Sequence, residues 1–213
     1  MTKRRNRKDE ILNASEALFY QKGYNKTTIN DILEALSISK GAFYHYFKSK
    51  EEVMDAIIMR TIQDGMAKAE LILQDRNLTI HQKFLMIILA QQPNEHNNKI
   101  QLLNELQQVE NALMHQKCLI VTIQQLTPLL TTVVKQGVDE GVLNTPYPQE
   151  SIELILCATA ILFDNNFFRW NAEELEQKIK ATIHMMEVCL GAKEGSFNHM
   201  VAAFDNLKSG KLP

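Results

Sequence analysis

Cysteine is scarce in this 213-residue chain, which has only Cys118, Cys157 and Cys189. An odd number of widely separated cysteines fits neither a disulfide framework nor the paired spacing of a zinc site. Each cysteine lies in an apolar helical context, so we expect three buried, reduced thiols, with a redox switch as the alternative. The sequence therefore predicts no disulfide and no metal site.

The chain also lacks a long hydrophobic run. The longest one covers residues 154–163, which is ten residues, whereas a membrane-spanning helix needs about 20. The basic N-terminus leads into an amphipathic segment and not into the apolar core of a secretory signal. We therefore expect a cytoplasmic protein that makes no membrane contact.

Motifs for catalysis and cofactor binding are missing as well. The sequence has no phosphate-binding glycine loop and no His-Glu-x-x-His motif. His184 and Glu187 are three residues apart, but a di-iron bundle needs such a pair twice, together with two further glutamates. We predict no enzymatic activity, no cofactor and no bound metal.

The net charge of −2 argues nothing by itself, but its distribution does. Residues 1–50 carry a charge of +5, and residues 51–213 carry −7. A basic head on an acidic body locates any attraction for phosphate at one end of the chain. Residues 1–8 are the most basic segment, and we expect either a solvated mobile tail or an arm that touches DNA.

Two short predicted helices and a tight turn follow in residues 27–50. Apolar residues recur at i, i+3, i+4 and i+7 from Ile29, which is one face of a helix. Thr28 can cap this helix, and Ser39 can cap a second one over residues 40–47 after the turn. Phe43 and Phe47, four residues apart, can both face inward.

The remaining side chains of the second helix suit the major groove of DNA. Small residues let the backbone approach the bases, Ala42 offers a methyl to thymine, and Lys40 can reach guanine or phosphate. A cation at Lys50 opposes the dipole of the next helix, which a phosphate contact would explain. The predicted DNA-binding residues are Thr27, Thr28, Ser39, Lys40, Gly41, Ala42, Tyr44, His45 and Lys50.

This segment resembles the DNA-binding signature of the TetR family of bacterial transcriptional regulators. The resemblance covers about the first sixty residues and departs only conservatively, at residues 33–36. The matching residues are Ala14, Leu18, Phe19, Gly23, Tyr24, Thr27, Thr28, Ile29, Ile32, Ser39, Lys40, Gly41, Phe43, Tyr44, His45, Tyr46, Phe47, Lys48, Ser49, Lys50 and Glu51.

Helical periodicity continues through the rest of the chain, with no strand-like alternation and no repeat, so the predicted fold class is all-α. We expect Gly23 to end the first helix and Ser49 to cap a long one with Glu52. Further helices are expected over about 50–74, 80–89, 100–114 and onward to about 136, with a kink or interruption near Pro128. The last two are expected over about 150–169 and 172–190, the second capped by Asn171.

The predicted domains are a helix-turn-helix DNA-binding domain (5–65, motif about 28–47), an effector-binding and dimerisation domain (66–190) and a loosely held tail (191–213). A single recognition helix reads few base pairs, so a two-fold dimer on a palindromic operator is expected. The resemblance implies that the last two helices form the dimer interface. It also implies a small-molecule effector. The methionines of the body and the aromatic residues within 163–170 suggest an apolar or amphipathic effector, although packing in the core also explains these residues.

The function expected from these observations is a homodimeric transcriptional repressor released by an effector. A helical small-molecule binding protein or enzyme with a vestigial head is one alternative. An architectural nucleic-acid-binding protein is another, although the modest net charge disfavours it.

Overall fold

The computed structural model describes residues 2–91, 112–164 and 167–201 of the chain. All regular structure in these three ranges is helical, which confirms the predicted all-α class. The eight helices are α1 (Thr2–Lys22), α2 (Ile29–Leu36), α3 (Lys40–Tyr44), α4 (Lys50–Gln74), α5 (Ile80–Leu89), α6 (Ala112–Asp139), α7 (Pro148–Leu162) and α8 (Ala172–Leu190).

The described residues form two compact units. The first contains residues 2–65 and 112–118, and the second contains residues 66–91, 119–164 and 167–201. Helices α4 and α6 each contribute residues to both units.

The core of the first unit is built by apolar side chains from α1 to α4. Helix α1 packs against α2, and the Phe19 ring meets the Tyr24 ring edge-on with centroids 5.1 Å apart. Arg60 of α4 bonds Glu16 of α1 (2.5 Å) in a half-buried ion pair. The fully or nearly fully buried side chains are Ile11, Phe19, Ile32, Phe43, Phe47, Val53, Met54 and Ile57.

The second unit packs α5, most of α6, α7 and α8 around an apolar core. Helix α7 packs against α8. Gly191 ends α8 in the left-handed conformation (φ 58°), and a Cβ there would lie 1.9 Å from the backbone oxygen of Asn144. No other residue fits this position without moving the chain.

Local capping signals were predicted correctly at several helix ends. Thr28, Ser39 and Asn171 cap α2, α3 and α8 through their side chains. Gly23 ends α1 with φ 81°. Ser49 accepts from the Glu52 N–H as predicted, but the Glu52 carboxylate accepts from the Lys48 N–H, so the capping box is only half formed.

Several predicted boundaries were wrong. Helix α1 begins at Thr2, so the basic N-terminal residues are part of this helix. An ion pair between Arg7 and Glu10 (2.7 Å), three residues apart, stabilises the helix there. Helix α3 ends at Tyr44 and α7 at Leu162, both earlier than expected. The prediction of a helix over residues 100–114 lies largely outside the described residues.

Helix α6 runs without a break through Pro128, where an interruption or kink was expected. Proline in a helix costs about 3 kcal/mol, but Leu126, Leu130, Val133 and Val134 are all buried around it. Their burial outweighs the lost hydrogen bond. Residues His115–Asp139 are long and apolar enough to cross a membrane by length and composition alone, a test that core helices also pass.

The cysteines and the C-terminal residues also differ from expectation. None of the three cysteines forms a disulfide within the described residues, but Cys157 is exposed and the other two are only half-buried. Residues 192–201, expected to be loosely held, bury Phe197 and Met200 almost completely.

Candidate nucleic-acid interface

Helix α2 begins with a reciprocal capping box between Thr28 and Asp31. The Asp31 N–H donates to Thr28 Oγ1 (3.2 Å), and the Thr28 N–H donates to Asp31 Oδ2 (2.8 Å). The Thr28 hydroxyl itself donates to the same carboxylate (2.9 Å). The donors of Thr28 are therefore engaged within the protein.

The turn between α2 and α3 depends on Ser37. This residue adopts the left-handed conformation (φ 51°, ψ 45°), the only non-glycine in the described residues with a positive φ. The N–H groups of Ser37 and Ile38 donate to the carbonyls of Glu34 and Leu33 (3.1 and 3.0 Å), which closes the end of α2. The tight closure brings α3 directly after α2, as a helix-turn-helix requires.

Helix α3 is anchored from behind by two aromatic side chains. Phe43 and Phe47 are 0% and 2% exposed, with ring centroids 6.1 Å apart. Ser39 caps the helix by accepting from the Ala42 N–H (3.2 Å). This anchoring fixes which residues of α3 face outward.

The outward side of α3 is a surface that we call the recognition surface, and it differs in kind from the core behind it. Tyr44 is 43% exposed despite its large ring, and Ala42 is half-buried. The members of this surface are Ser39, Lys40, Gly41, Ala42, Tyr44 and His45. It presents a cation, a hydroxyl, two small residues and two aromatic rings with polar atoms.

Gly41 is not required by the fold of the described chain. It lies in α3 with no positive φ, and a Cβ built on it would meet only Ser39 Oγ, at 4.0 Å. Glycine within a helix costs about 0.5–1 kcal/mol relative to alanine. The protein thus carries a small destabilisation that no internal contact explains, on an exposed helix face.

Thr27 does not belong to this exposed surface. It is 1% exposed, and its hydroxyl donates to the Gly23 carbonyl (2.9 Å) and lies 3.3 Å from the Leu18 carbonyl. These bonds tie the end of α1 to the start of α2. In the free protein the Thr27 hydroxyl already bonds to carbonyl oxygens, and its contact with phosphate stays a prediction.

Lys50 is likewise directed into the protein. Its ammonium donates to the carbonyls of Tyr24 and Thr27 (2.8 and 2.9 Å) and lies 4.2 Å from the centroid of the Tyr24 ring. Burial lowers the pKa of Lys50, and the nearby Glu51 carboxylate opposes this. Burial is the main cause that raises the pKa of Tyr24 to about 12, and the same Glu51 carboxylate adds to this shift. Lys50 joins the loop after α1 to the start of α4.

Charges around the recognition surface are arranged unevenly. Lys22 forms an ion pair with Asp31 (2.6 Å), and this contact, together with the bonds from Thr28, lowers the pKa of Asp31 to about 2. The start of α2 thus carries its own anion, which opposes a phosphate there. Lys48, which is not among the nine predicted DNA-binding residues, is an exposed cation just after α3. Lys8 of α1 lies 5.6 Å from the Phe47 ring centroid, which brings basic α1 residues close to α3.

The structure divides the nine predicted DNA-binding residues into two groups. Six lie together on the recognition surface. Thr27, Thr28 and Lys50 instead use their donors on neighbouring protein groups. Among the described residues, no group of three or more His, Cys, Asp or Glu side chains could hold a metal ion.

Comparisons with known proteins match both parts of the chain. A family model described as bacterial regulatory proteins of the tetR family matches residues 11–57. A second, described as the tetracyclin repressor-like C-terminal domain, matches residues 94–185. Helices α1–α4 thus form a helix-turn-helix head of the bacterial regulator class. The chain belongs to the TetR family.

Individual relatives are similar mainly in the head. A helix-turn-helix transcriptional regulator from Lactococcus lactis subsp. lactis is 54% identical over 54 residues, 25% of this chain and 28% of that protein. The transcriptional repressor KstR2 of Rhodococcus jostii is 37% identical over 62 residues, 29% of this chain and 30% of its own. The chain thus matches only about three tenths of the length of these relatives.

Solved structures extend the similarity to the whole fold. GusR of Salmonella enterica superposes with a TM-score of 0.57 over 88% of this chain and 96% of its own, at 18% identity. At that identity the likeness concerns the fold alone.

Proposed function

We propose that the chain is a sequence-specific, DNA-binding transcriptional regulator. It acts as a homodimeric repressor that leaves a palindromic operator when a small effector binds. Family membership supports the regulator class, and the similarity to KstR2, a transcriptional repressor, supports the repressor sign. The domains we assign are residues 5–65 for DNA binding, 66–190 for effector binding and dimerisation, and 191–213 after them.

The observation that carries the proposal is the exposed glycine in the first turn of α3. The fold gains nothing from Gly41, whereas a DNA backbone or base edge can approach a helix closely only where no side chain intervenes. Lys40 beside it supplies a cation for guanine or phosphate, and Tyr44 and His45 supply ring donors on the same face. Phe43 and Phe47 hold this face outward.

The DNA contacts we propose follow the division seen in the free protein. Ser39, Lys40, Gly41, Ala42, Tyr44 and His45 contact DNA directly. Thr27, Thr28 and Lys50 hold α1, α2 and α4 in register behind the recognition helix. Lys50 would have to leave two carbonyl oxygens before it could bind a phosphate.

Dimerisation is proposed through α7 and α8, because these packed helices expose apolar side chains to solvent. Leu154 is 68% exposed, Met185 56% and Val188 61%. An open, mostly apolar groove of about 520 Å³ lies between the two helices, lined by Leu154, Ala158, Met185 and others. Contiguous apolar surface of this kind marks an interface, and two such helix pairs can form a four-helix bundle.

Substitution within this surface tests the interface. Leu154→Glu and Met185→Glu place charges where a partner helix would pack, so we expect monomers at micromolar concentration by analytical ultracentrifugation. Leu71→Glu is the matched control, because Leu71 is 70% exposed on α4, outside the two helices. A variant pair that stays dimeric, or a control that dissociates, would contradict the assignment.

Effector control follows from a population shift in our account. The effector lowers the operator affinity if it binds the dimer conformation that does not fit the operator more tightly than the one that does. The ratio of its affinities for the two conformations sets the largest possible decrease. We propose an apolar or amphipathic molecule, from the methionine-rich composition of the body.

Selection of binding sites from a random duplex pool tests the DNA-binding proposal. A dimer with two recognition helices should enrich a palindrome whose half-sites are centred about 10 base pairs, or a multiple of this, apart. Enrichment of no motif would instead favour an architectural protein or a helical ligand-binding protein with a vestigial head.

A further inference from the structure

The segment after α8 folds back over the second unit. Residues 192–201, which we call the strap, are fastened to α8 by Glu187, a residue that is only 4% exposed. Its two oxygens accept from the N–H groups of Gly195 (3.0 Å) and Phe197 (2.9 Å). A charged acceptor paired with two backbone donors is a strong anchor.

The strap is seated on α5 through aromatic contacts. The Phe197 ring, 0% exposed, lies with its centroid 4.6 Å from that of His81 and 5.5 Å from that of Phe84. Met200 is 2% exposed. On the outer side, His199 Nε2 lies 3.3 Å from the His81 carbonyl oxygen.

His81 has a nitrogen that the docked strap leaves without a partner. Its Nε2 is buried and makes no hydrogen bond. A neutral imidazole can leave this nitrogen as a bare acceptor, but an imidazolium must bury an N–H there with no acceptor. Protonation is therefore more costly with the strap in place than with His81 open to water.

The surroundings of His81 act in the same direction. It is the second residue of α5, where the helix dipole disfavours a cation. The titratable groups that face it are His199 on the strap and Glu187 on α8. Burial chiefly lowers the pKa of His81, the charge of His199 adds to this, and Glu187 opposes it.

We propose that the strap is a proton-sensitive closure, docked while His81 is neutral and released when His81 is protonated. In the released state His81 is solvated and titrates near its ordinary value of about 6.5. Because the docked state disfavours the proton, docking is strongest above that value and weakens as the pH falls through it. The equilibrium constant for docking falls by at most about tenfold per pH unit. It stops falling once the pH is below the pKa that His81 has in the docked state. This closure does not depend on the proposed DNA binding.

Hydrogen exchange of the strap amides in the full-length protein tests the proposal. We would measure protection factors of the Gly195 and Phe197 amides at pH 7.5, 6.5 and 5.5, in wild type and in His81→Phe. We expect wild-type protection to fall by up to about tenfold between pH 7.5 and 5.5, most of it below pH 6.5, and His81→Phe protection to stay constant.

Two further variants and one direct titration complete the test. His199→Gln should keep the pH response, because the group that titrates remains, and His81→Gln serves if His81→Phe does not fold. Parallel protection in wild type and the His81 variant would overturn the proposal. So would an NMR titration of His81 with a midpoint at or above about 6.5.

Discussion

Replacing Gly41 with alanine should separate the stability of the protein from its affinity for DNA. The added methyl enters open space, since the nearest heavy atom is Ser39 Oγ at 4.0 Å. Alanine loses less conformational freedom in a helix, so we expect a stabilisation of about 0.5–1 kcal/mol. For a chain of this size that is a rise in the melting temperature of about 1–4 °C.

The same methyl should weaken operator binding. If the backbone at Gly41 touches DNA, the methyl must displace it, and overpacking of this kind costs about 1–3 kcal/mol. This corresponds to a loss of roughly 5- to 150-fold in affinity. The two effects have opposite signs, so a general loss of folded protein cannot produce both of them.

Gly137→Ala is the matched control. Its Cβ would lie 2.6 Å from Leu143 Cδ1 and 3.1 Å from Ile80 Cγ2, inside the second unit. We therefore expect a lower melting temperature, with operator affinity unchanged once corrected for the folded fraction. The assays are differential scanning calorimetry and fluorescence anisotropy with operator DNA. An operator affinity that Gly41→Ala leaves unchanged would refute the close approach of DNA to this residue.

Three further predictions concern the residues around α3. Lys50→Met keeps the buried stem but removes the ammonium from two carbonyls, so chemical denaturation should show a loss of about 1–2 kcal/mol; an unchanged midpoint would contradict the positioning role. Asp31→Asn should lower the stability at neutral pH, and the difference from wild type should shrink as the pH falls from about 4 toward 2. The reason is that a carboxyl group with a lowered pKa stabilises the fold only while it is ionised. Thermal melts at several pH values measure this difference, and a difference that stays constant with pH would contradict the prediction. Lys40→Ala and Tyr44→Ala should each reduce the affinity for operator DNA. If Lys40 contacts a phosphate, Lys40→Ala should also reduce the slope of log affinity against log salt concentration by about one, whereas Tyr44→Ala should leave this slope unchanged. If Lys40→Ala leaves the slope unaltered but changes the sequence preference, Lys40 contacts a base instead.

Sequence reasoning was most accurate where the structure is determined locally. Thr28, Ser39 and Asn171 cap helices because a hydroxyl or amide oxygen reaches an N–H three residues later, a distance visible in the sequence. Phe43 and Phe47 were correctly placed inside because they are four residues apart in a helical segment.

The sequence was least informative where a side chain has two competing partners. Lys50 reaches carbonyls 23 and 26 residues away, and nothing in the sequence favours them over a phosphate. Thr27 is satisfied by a carbonyl four residues earlier, which becomes available only because α1 ends at Gly23. The strap escaped prediction for a similar reason, since its anchor, Glu187, belongs to a different element.

The central claim is that α3 recognises a specific operator. The most direct measurement is a footprinting titration of the purified protein on DNA immediately upstream of its own gene, at near-physiological salt, with unrelated DNA of equal length as the competitor. Our account predicts a protected palindrome with nanomolar affinity, at least about 10³-fold tighter than binding to the competitor. Gly41→Ala should weaken only this specific protection. Equal, weak binding to this region, to unrelated DNA and to the sites enriched from a random pool would contradict the account.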